Sequence, residues 1–325
     1  MPTIHSPDEL FIDDLFVNLQ PILDRQILLK CEGFNFAGSV KLKAATSMVE
    51  AAEREGRLRP GSVLVESSSG NLGVALAVVA ASRGYQFVCV TDPRSNPTTR
   101  ALIEAVGARV VLITKPDAVG GYLGSRISYV QEFCRQNPAA VWLNQYASPH
   151  NWRAHYELTA PAIDKHHPVL DYLFVGAGTT GTLMGCARYF REHRPEVRIV
   201  AVDSVGSVTF GGLPAPRYIP GLGTSRRPEI LDEGLVDEIV FVDEADTVTT
   251  CRELAGRGYL FGGSTGTVVS AARNRLPEGG DAIAVAIAPD LADRYADTLY
   301  NDAWVIETFG PLEGLHAADP PKLPL

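Results

Sequence analysis

The stretch Gly38-Ser39-Val40-Lys41-Leu42-Lys43 places two of the chain's six lysines behind a small-residue loop, at the start of a helical pattern. Nearly every other cationic side chain is an arginine. A lysine can lose its proton and attack a carbonyl, which an arginine effectively never does. Ser39 reads as an N-cap, which puts Lys41 in the first helical turn. There the positive end of the helix dipole favours the neutral amine. Lys43 follows two positions on, about 200° around the helix, so it cannot face the same site and reads as a surface neighbour. The plain alternative is a solvated pair of lysines at a helix start.

Three further stretches have the composition of anion-binding turns. In Glu66-Ser67-Ser68-Ser69-Gly70-Asn71, a strand ends in hydroxyl residues and a helix follows, leaving N–H groups and hydroxyls for a carboxylate or phosphate. In Gly176-Ala177-Gly178-Thr179-Thr180-Gly181-Thr182, a strand again meets a small-residue loop and a helix, a second nest suited to phosphate. That loop also satisfies G-x-G-x-x-G, with Asp203 at the end of the next strand, so a nicotinamide-dinucleotide oxidoreductase is a live reading. Gly262-Gly263-Ser264-Thr265-Gly266 opens another helix. Each stretch, taken alone, also reads as an ordinary capped turn. Together they match the needs of pyridoxal phosphate: a lysine for its aldehyde, one nest for its phosphate, another for an amino-acid carboxylate.

These motifs sit in a regular frame. Short β-branched runs alternate with helical ones: Gln26–Cys31, Val63–Glu66, Phe87–Val90 and Arg109–Ile113, then Tyr172–Val175, Ile199–Val202, Ile239–Val242 and Ile283–Ile287. Such alternation predicts an α/β fold of parallel sheets covered by helices. Because the pattern restarts near Tyr172, it predicts two open-sheet domains with a site in the cleft between them. The smaller is placed at 35–150 with the serine loop, and the larger at 1–34 with 151–310, carrying the Gly/Thr loop. Residues 311–325, rich in proline and charge, read as a loose tail.

Composition narrows the partners. A net charge of −9 argues against nucleic acid. No apolar run approaches a membrane span, and the N-terminal stretch lacks the marks of a secretion signal. The five cysteines form no C-x-x-C pair and read as reduced cytoplasmic thiols used for packing. No metal is expected: His150 and His155 are five apart, off a shared helical face, and no H-E-x-x-H occurs.

From about residue 11 to 300 the motifs, in their order, resemble the fold-type-II pyridoxal-phosphate enzymes of the cysteine synthase and cystathionine β-synthase family. Gly38–Lys41 resembles the family's Schiff-base loop, Ser68–Asn71 its substrate-carboxylate loop, Gly178–Thr182 its phosphate loop, and Gly262–Gly266 the loop whose serine meets the pyridine nitrogen. Pro289-Asp290, with Asp293-Arg294-Tyr295, resembles its C-terminal signature. The resemblance implies Lys41 as the catalytic lysine and general base. It implies Asn71, Gly178, Thr179, Thr180, Gly181, Thr182 and Ser264 around the cofactor, and Ser67, Ser68, Ser69 and Gln145 on the substrate carboxylate. A neutral serine at the pyridine nitrogen would favour loss of a β leaving group over transamination.

Pro116–Leu123, Asn144–Ala147, Val205–Val208 and Leu222–Arg226 resemble the branch that joins O-phospho-L-serine to the amino group of L-glutamate, on the way to 2,3-diaminopropionate for a siderophore or antibiotic. Arg126 and Arg226 are then candidates for the substrates' anionic groups, and Tyr146 for closing over the site. Cysteine synthase is the neighbouring alternative. The family also implies a homodimer. The chain departs from its pattern at Leu42-Lys43, where Asp-Arg is usual, at Asn18–Pro21 in place of Gly-Asn-Thr-Pro, and at Ala292, where glycine is common.

Overall fold

The apolar runs become the buried strands of two sheets. The computed structural model describes residues 3–117 and 121–312. Part of the Pro116–Leu123 stretch, and the tail from 313 on, lie outside the described residues.

The strands are β1 (Phe16–Asn18), β2 (Ile27–Cys31), β3 (Val63–Ser67), β4 (Gln86–Thr91), β5 (Arg109–Leu112), β6 (Ala140–Trp142), β7 (Tyr172–Gly176), β8 (Arg198–Ser204), β9 (Glu238–Val242) and β10 (Ala284–Ala288). One sheet has the order β5-β4-β3-β6, and the other β1-β2-β10-β7-β8-β9. All neighbours pair in parallel except β1 with β2. The parallel α/β expectation is met, with an antiparallel edge strand added.

The side-chain period of two explains why the large sheet is covered on both faces. Phe174, Val200, Val202, Ala284 and Ala286 pack into one apolar cluster. Their neighbours Leu173, Val175, Ile199, Ala201, Val285 and Ile287 pack into another on the opposite face. In the small sheet, Leu64, Phe87 and Cys89 meet the helices Lys41–Arg54 and Asn71–Arg83 on one face. Val65, Val88 and Val90 meet Val130 on the other.

Parallel strands present their carboxyl ends on one edge, and loops there build sites. Four such ends matter. β2 runs into the lysine loop, β3 into the serine loop, β7 into the Gly/Thr loop and β10 into Pro289-Asp290. Helices follow β2, β3, β4, β5, β7 and β9, as the alternation predicts.

Several elements were not anticipated. β1 and β6 are three residues each, too short to show a period. A π-helical turn, His155–Thr159, joins the helices Pro149–Ala154 and Ala160–His166. Helix Asp302–Phe309 packs Val305 beneath the C-terminal segment. Among the described residues, no helix is long and apolar enough to cross a membrane.

Four of the five thiols are buried, Cys134 being the exception. Burial pushes Cys31 up to about 11, and Cys89, Cys186 and Cys251 up to about 12. With the thiolate as the reactive form, a chromogenic disulfide reagent at pH 8 should titrate at most one thiol in the native protein and all five after denaturation. Fast reaction of several native thiols would contradict this packing.

Candidate active site

Lys41 is the first residue of helix Lys41–Arg54, and its N-cap is Val40, not Ser39. Ser39 instead bridges to Asp290 and is fully buried, its hydroxyl without a partner. The loop is held from behind by the C-terminal signature. The Val40 N–H donates to the Pro289 carbonyl at 2.7 Å. The Arg294 guanidinium donates to the Ala37 carbonyl at 2.5 Å. It also lies 3.1 Å from where a Cβ on Gly38 would stand, and Gly38 has a φ of +64°. A side chain there would meet both strain and the arginine.

The half-buried Lys41 faces an open cleft of about 150 Å³. Burial lowers its amine from the ordinary 10.5 to about 8, against the opposing pull of the Asp290 carboxylate. Asp290 is itself buried, and burial raises its carboxyl. It accepts from the Asn71 amide at 2.8 Å and the Tyr295 hydroxyl at 2.7 Å. Arg294 donates to the other end of the Asn71 amide. The lysine loop, the serine loop and the β10 loop are thus joined by one buried polar chain. Sequence reasoning named Asp290, Arg294 and Tyr295 as a motif without giving them this task.

The serine loop forms the facing wall. The Ser68 hydroxyl is taken up by the turn, accepting from the Gly73 N–H at 2.9 Å in the first turn of helix Asn71–Arg83, whose N-cap is Gly70. Ser67 and Ser69 line the cleft, and the Ser67 hydroxyl is buried without a partner. Beneath them is Glu66, fully buried, its carboxyl raised to about 7 by burial. It accepts from the Trp142 indole at 2.9 Å and the Gln145 N–H at 3.3 Å. Gln145 then donates its amide to the Ser67 carbonyl at 2.9 Å. The carboxylate loop and the Gln145-Tyr146 turn are therefore built on one acid.

Opposite, Gly178 and Thr179 line the cleft at the mouth of helix Gly181–His193. Thr180 takes a left-handed φ of +66°. Its buried hydroxyl has no partner, and no acceptor among the described residues meets the N–H groups of Gly178, Thr179 and Thr180. A Cβ on Gly181 would lie 2.1 Å from the Asn151 Oδ1, so only glycine lets Asn151 reach the helix mouth. Open N–H groups, an orphaned hydroxyl and a helix terminus are what a phosphate requires. With a depressed lysine across the cleft, the residues present fit pyridoxal phosphate.

The remaining predicted residues divide. Arg126 is buried at the cleft wall, with Asp92 at 3.4 Å. That ion pair is made by Nε, while Nη1 has no hydrogen-bond partner, so Arg126 keeps a buried donor for an anion. Tyr146 lines the cleft, and burial raises its phenol. Arg226 does not line it: the side chain is exposed and pairs with Glu229 at 3.1 Å. Ser264 is buried behind Gly221, where a Cβ would come within 2.2 Å of its hydroxyl. Lys43 is no surface neighbour. It is 3% exposed and pairs with Asp13 at 2.8 Å and Glu32 at 3.0 Å. Asp203 is fully buried and accepts from the Ser204 N–H at 2.8 Å, which turns it inward, away from a dinucleotide ribose.

Comparison with known proteins agrees with this geometry. Residues 16–290 match the family described as pyridoxal-phosphate dependent enzymes. The chain is 40% identical over 286 residues to N-(2-amino-2-carboxyethyl)-L-glutamate synthase of Ralstonia nicotianae, covering 86% of this chain and 84% of that one. Among solved structures it is similar to O-ureido-L-serine synthase, at 34% identity and a TM-score of 0.84, covering 94% of this chain and 99% of that one. It is also similar to the O-acetylserine dependent cystathionine β-synthase of Helicobacter pylori, at 27% identity and a TM-score of 0.82, covering 92% and 99%. Its buried lysine, its two anion nests and the match over most of its length show that this protein belongs to the pyridoxal-phosphate dependent enzymes of the fold-type-II, cysteine synthase-like kind, and its cofactor is pyridoxal 5′-phosphate.

Proposed function

We propose that this enzyme joins O-phospho-L-serine to the amino group of L-glutamate, releasing phosphate and forming N-(2-amino-2-carboxyethyl)-L-glutamate for diaminopropionate supply to a siderophore or peptide antibiotic. The observation that carries the substrate choice is Arg126, a buried guanidinium with unused donors in the cleft wall. The 40% identity to the Ralstonia enzyme of that name supports the same reaction. Both proposed substrates are more anionic than serine or sulfide, and arginine binds carboxylate and phosphate oxygens in pairs.

Pyridoxal phosphate, when bound, supplies an electron sink that acidifies the Cα–H of the amino acid it carries. Lys41, whose burial makes the neutral amine accessible near pH 8, would take the Cα proton and return it after the amine has added at Cβ. Ser67, Ser69, Gln145 and the N–H groups opening helix Asn71–Arg83 hold the substrate carboxylate. Asn71 is kept in place by Asp290 and Arg294 to meet the cofactor's phenolic oxygen. Gly178 to Thr182 hold its phosphate. Ser264 meets the pyridine nitrogen from behind Gly221. Arg126 and Tyr146 face the anionic ends of the substrates, and Arg226 remains at the surface. The halves 35–150 and 1–34 with 151–310 are the two walls of the cleft. We place the enzyme in the cytoplasm as a homodimer, a setting that suits its unpaired thiols.

Three measurements bear on this reading. With O-phosphoserine and glutamate, the holoenzyme should release phosphate and form the C–N product in equal amounts. Turnover with sulfide but not glutamate would make it a cysteine synthase instead. Replacing Arg126 with methionine should lower kcat/KM by about ten- to a hundredfold, the worth of a hydrogen bond to a charged group. Finally, the neutral amine is the nucleophile, so covalent capture of the cofactor aldehyde by cofactor-free protein should speed up as pH rises and reach half its maximum near pH 8. It should vanish in Lys41→Ala. A midpoint above 10 would show that the amine is solvated.

A further inference from the structure

A buried chain of hydrogen bonds leads from Lys43 to the mouth of the phosphate-loop helix. The Lys43 ammonium donates to Asp13 at 2.8 Å, lies 3.1 and 3.0 Å from the two oxygens of the Glu32 carboxylate, and reaches the Thr159 hydroxyl at 3.4 Å. Thr159 lies 3.0 Å from His155 Nδ1, inside the π-helical turn. His155 Nε2 lies 3.2 Å from the hydroxyl of Thr182, the second residue of helix Gly181–His193. Thr159, His155 and Lys43 are each at most 3% exposed, so water does not complete these bonds.

The direction of the chain follows by counting protons. An ammonium only donates, so Thr159 accepts from it. The Thr159 proton then needs an acceptor, and among the described residues the one within reach is His155 Nδ1. Nδ1 is therefore unprotonated, Nε2 carries the hydrogen, and Thr182 accepts from it. The Thr182 proton is left with no acceptor in the chain, beside N–H groups that are also unpaired. The reverse order would leave the Thr159 hydroxyl hydrogen buried and unsatisfied, which costs about 1–3 kcal/mol.

We propose that His155 is a positioning residue, held as the Nε2–H tautomer by Lys43 and Thr159, and that this relay turns the Thr182 hydroxyl into an obligate donor to the cofactor phosphate. The proposal rests on the phosphate-loop role given to Thr182 above. Burial, with Lys41 and Lys43 nearby, holds the imidazole well below its ordinary pKa, so it stays neutral and keeps one tautomer. Asp13 and Glu32 face Lys43 and keep it charged, more than offsetting its own burial.

The test is nitrogen NMR on full-length protein with labelled histidine, with and without bound pyridoxal phosphate. His155→Gln assigns the signal among the seven histidines. We expect Nε2–H in both forms, retained in Lys43→Arg, which still donates, and lost to a mixture or to Nδ1–H in Lys43→Met. Cofactor dissociation constants should rise about tenfold in Lys43→Met and Thr182→Val and stay near the native value in Thr182→Ser. The wild-type tautomer is read on the native protein, His155→Gln serving only to assign its signal, and the Thr182 variants test the affinity independently of any change at Lys43. An Nδ1–H tautomer in the wild type, or a Lys43→Met protein with unchanged tautomer and affinity, would overturn the relay while leaving the cofactor reading intact. Failure of native protein to bind the cofactor would instead remove the reading beneath it.

Discussion

A lysine that must act as a neutral amine has to be withdrawn from water, and in this fold that withdrawal happens beside a carboxylate. The two effects oppose each other. Burial disfavours the Lys41 ammonium, and Asp290 favours it. Burial wins: the fall from 10.5 to about 8 corresponds to about 3 kcal/mol, at about 1.4 kcal/mol per pH unit. Asp290 does not hold Lys41 fully charged because its own charge is spent elsewhere, on Asn71 and Tyr295. Its carboxyl is also raised by burial, which weakens it further as a partner for the lysine.

This constraint accounts for much of the architecture. Withdrawing Lys41 requires walls, and the walls are loops leaving the carboxyl ends of β2, β3, β7 and β10. Those loops come from both sheets, so neither sheet alone could enclose the amine. Their polar backbone needs partners, and buried acids supply them. Glu66 organises the serine loop and the Gln145 turn, while Asp290 organises the lysine loop and Asn71. Gly262 lets Asp290 in, since a Cβ there would stand 2.0 Å from its Oδ1.

The sheets, their parallel order and the three principal loops were legible because each leaves a local mark: an apolar run, a break in small residues, a helical period. Lys43 was misread for an equally physical reason. Helical geometry correctly placed it off the Lys41 face, but the step from there to the surface assumed that the opposite face meets water. It meets β2 and the turn His155–Thr159, whose acids and hydroxyls lie far away in sequence. Asp13, Glu32 and Thr159 carry no joint signature, since the pairing exists only once the chain has folded. Ser39 was misread similarly. A serine before a helix has the look of a cap, yet a β-bridge to Asp290, a residue 251 positions on, decides its geometry.

Lys43 also gives physical sense to one departure from the family pattern. Where the sequence reading saw a lost Asp-Arg pair, the structure keeps a cation and draws its counter-charges from other strands and loops. Lys43 sits against the carboxylates of Glu32 and Asp13, and Lys30 against the Glu32 carboxylate and the Asp13 carbonyl, so both buried lysines share these partners. Buried ions persist when they are paired and their donors are used, and the ammonium here meets acceptors on Asp13, Glu32 and Thr159. A guanidinium would bring five donors in a rigid plane to the same pocket. The substitution thus sets more than local charge. Because a cation at this position can only donate, it sets which way each hydroxyl beyond it must point, and that order reaches the helix mouth where an anion is to be held.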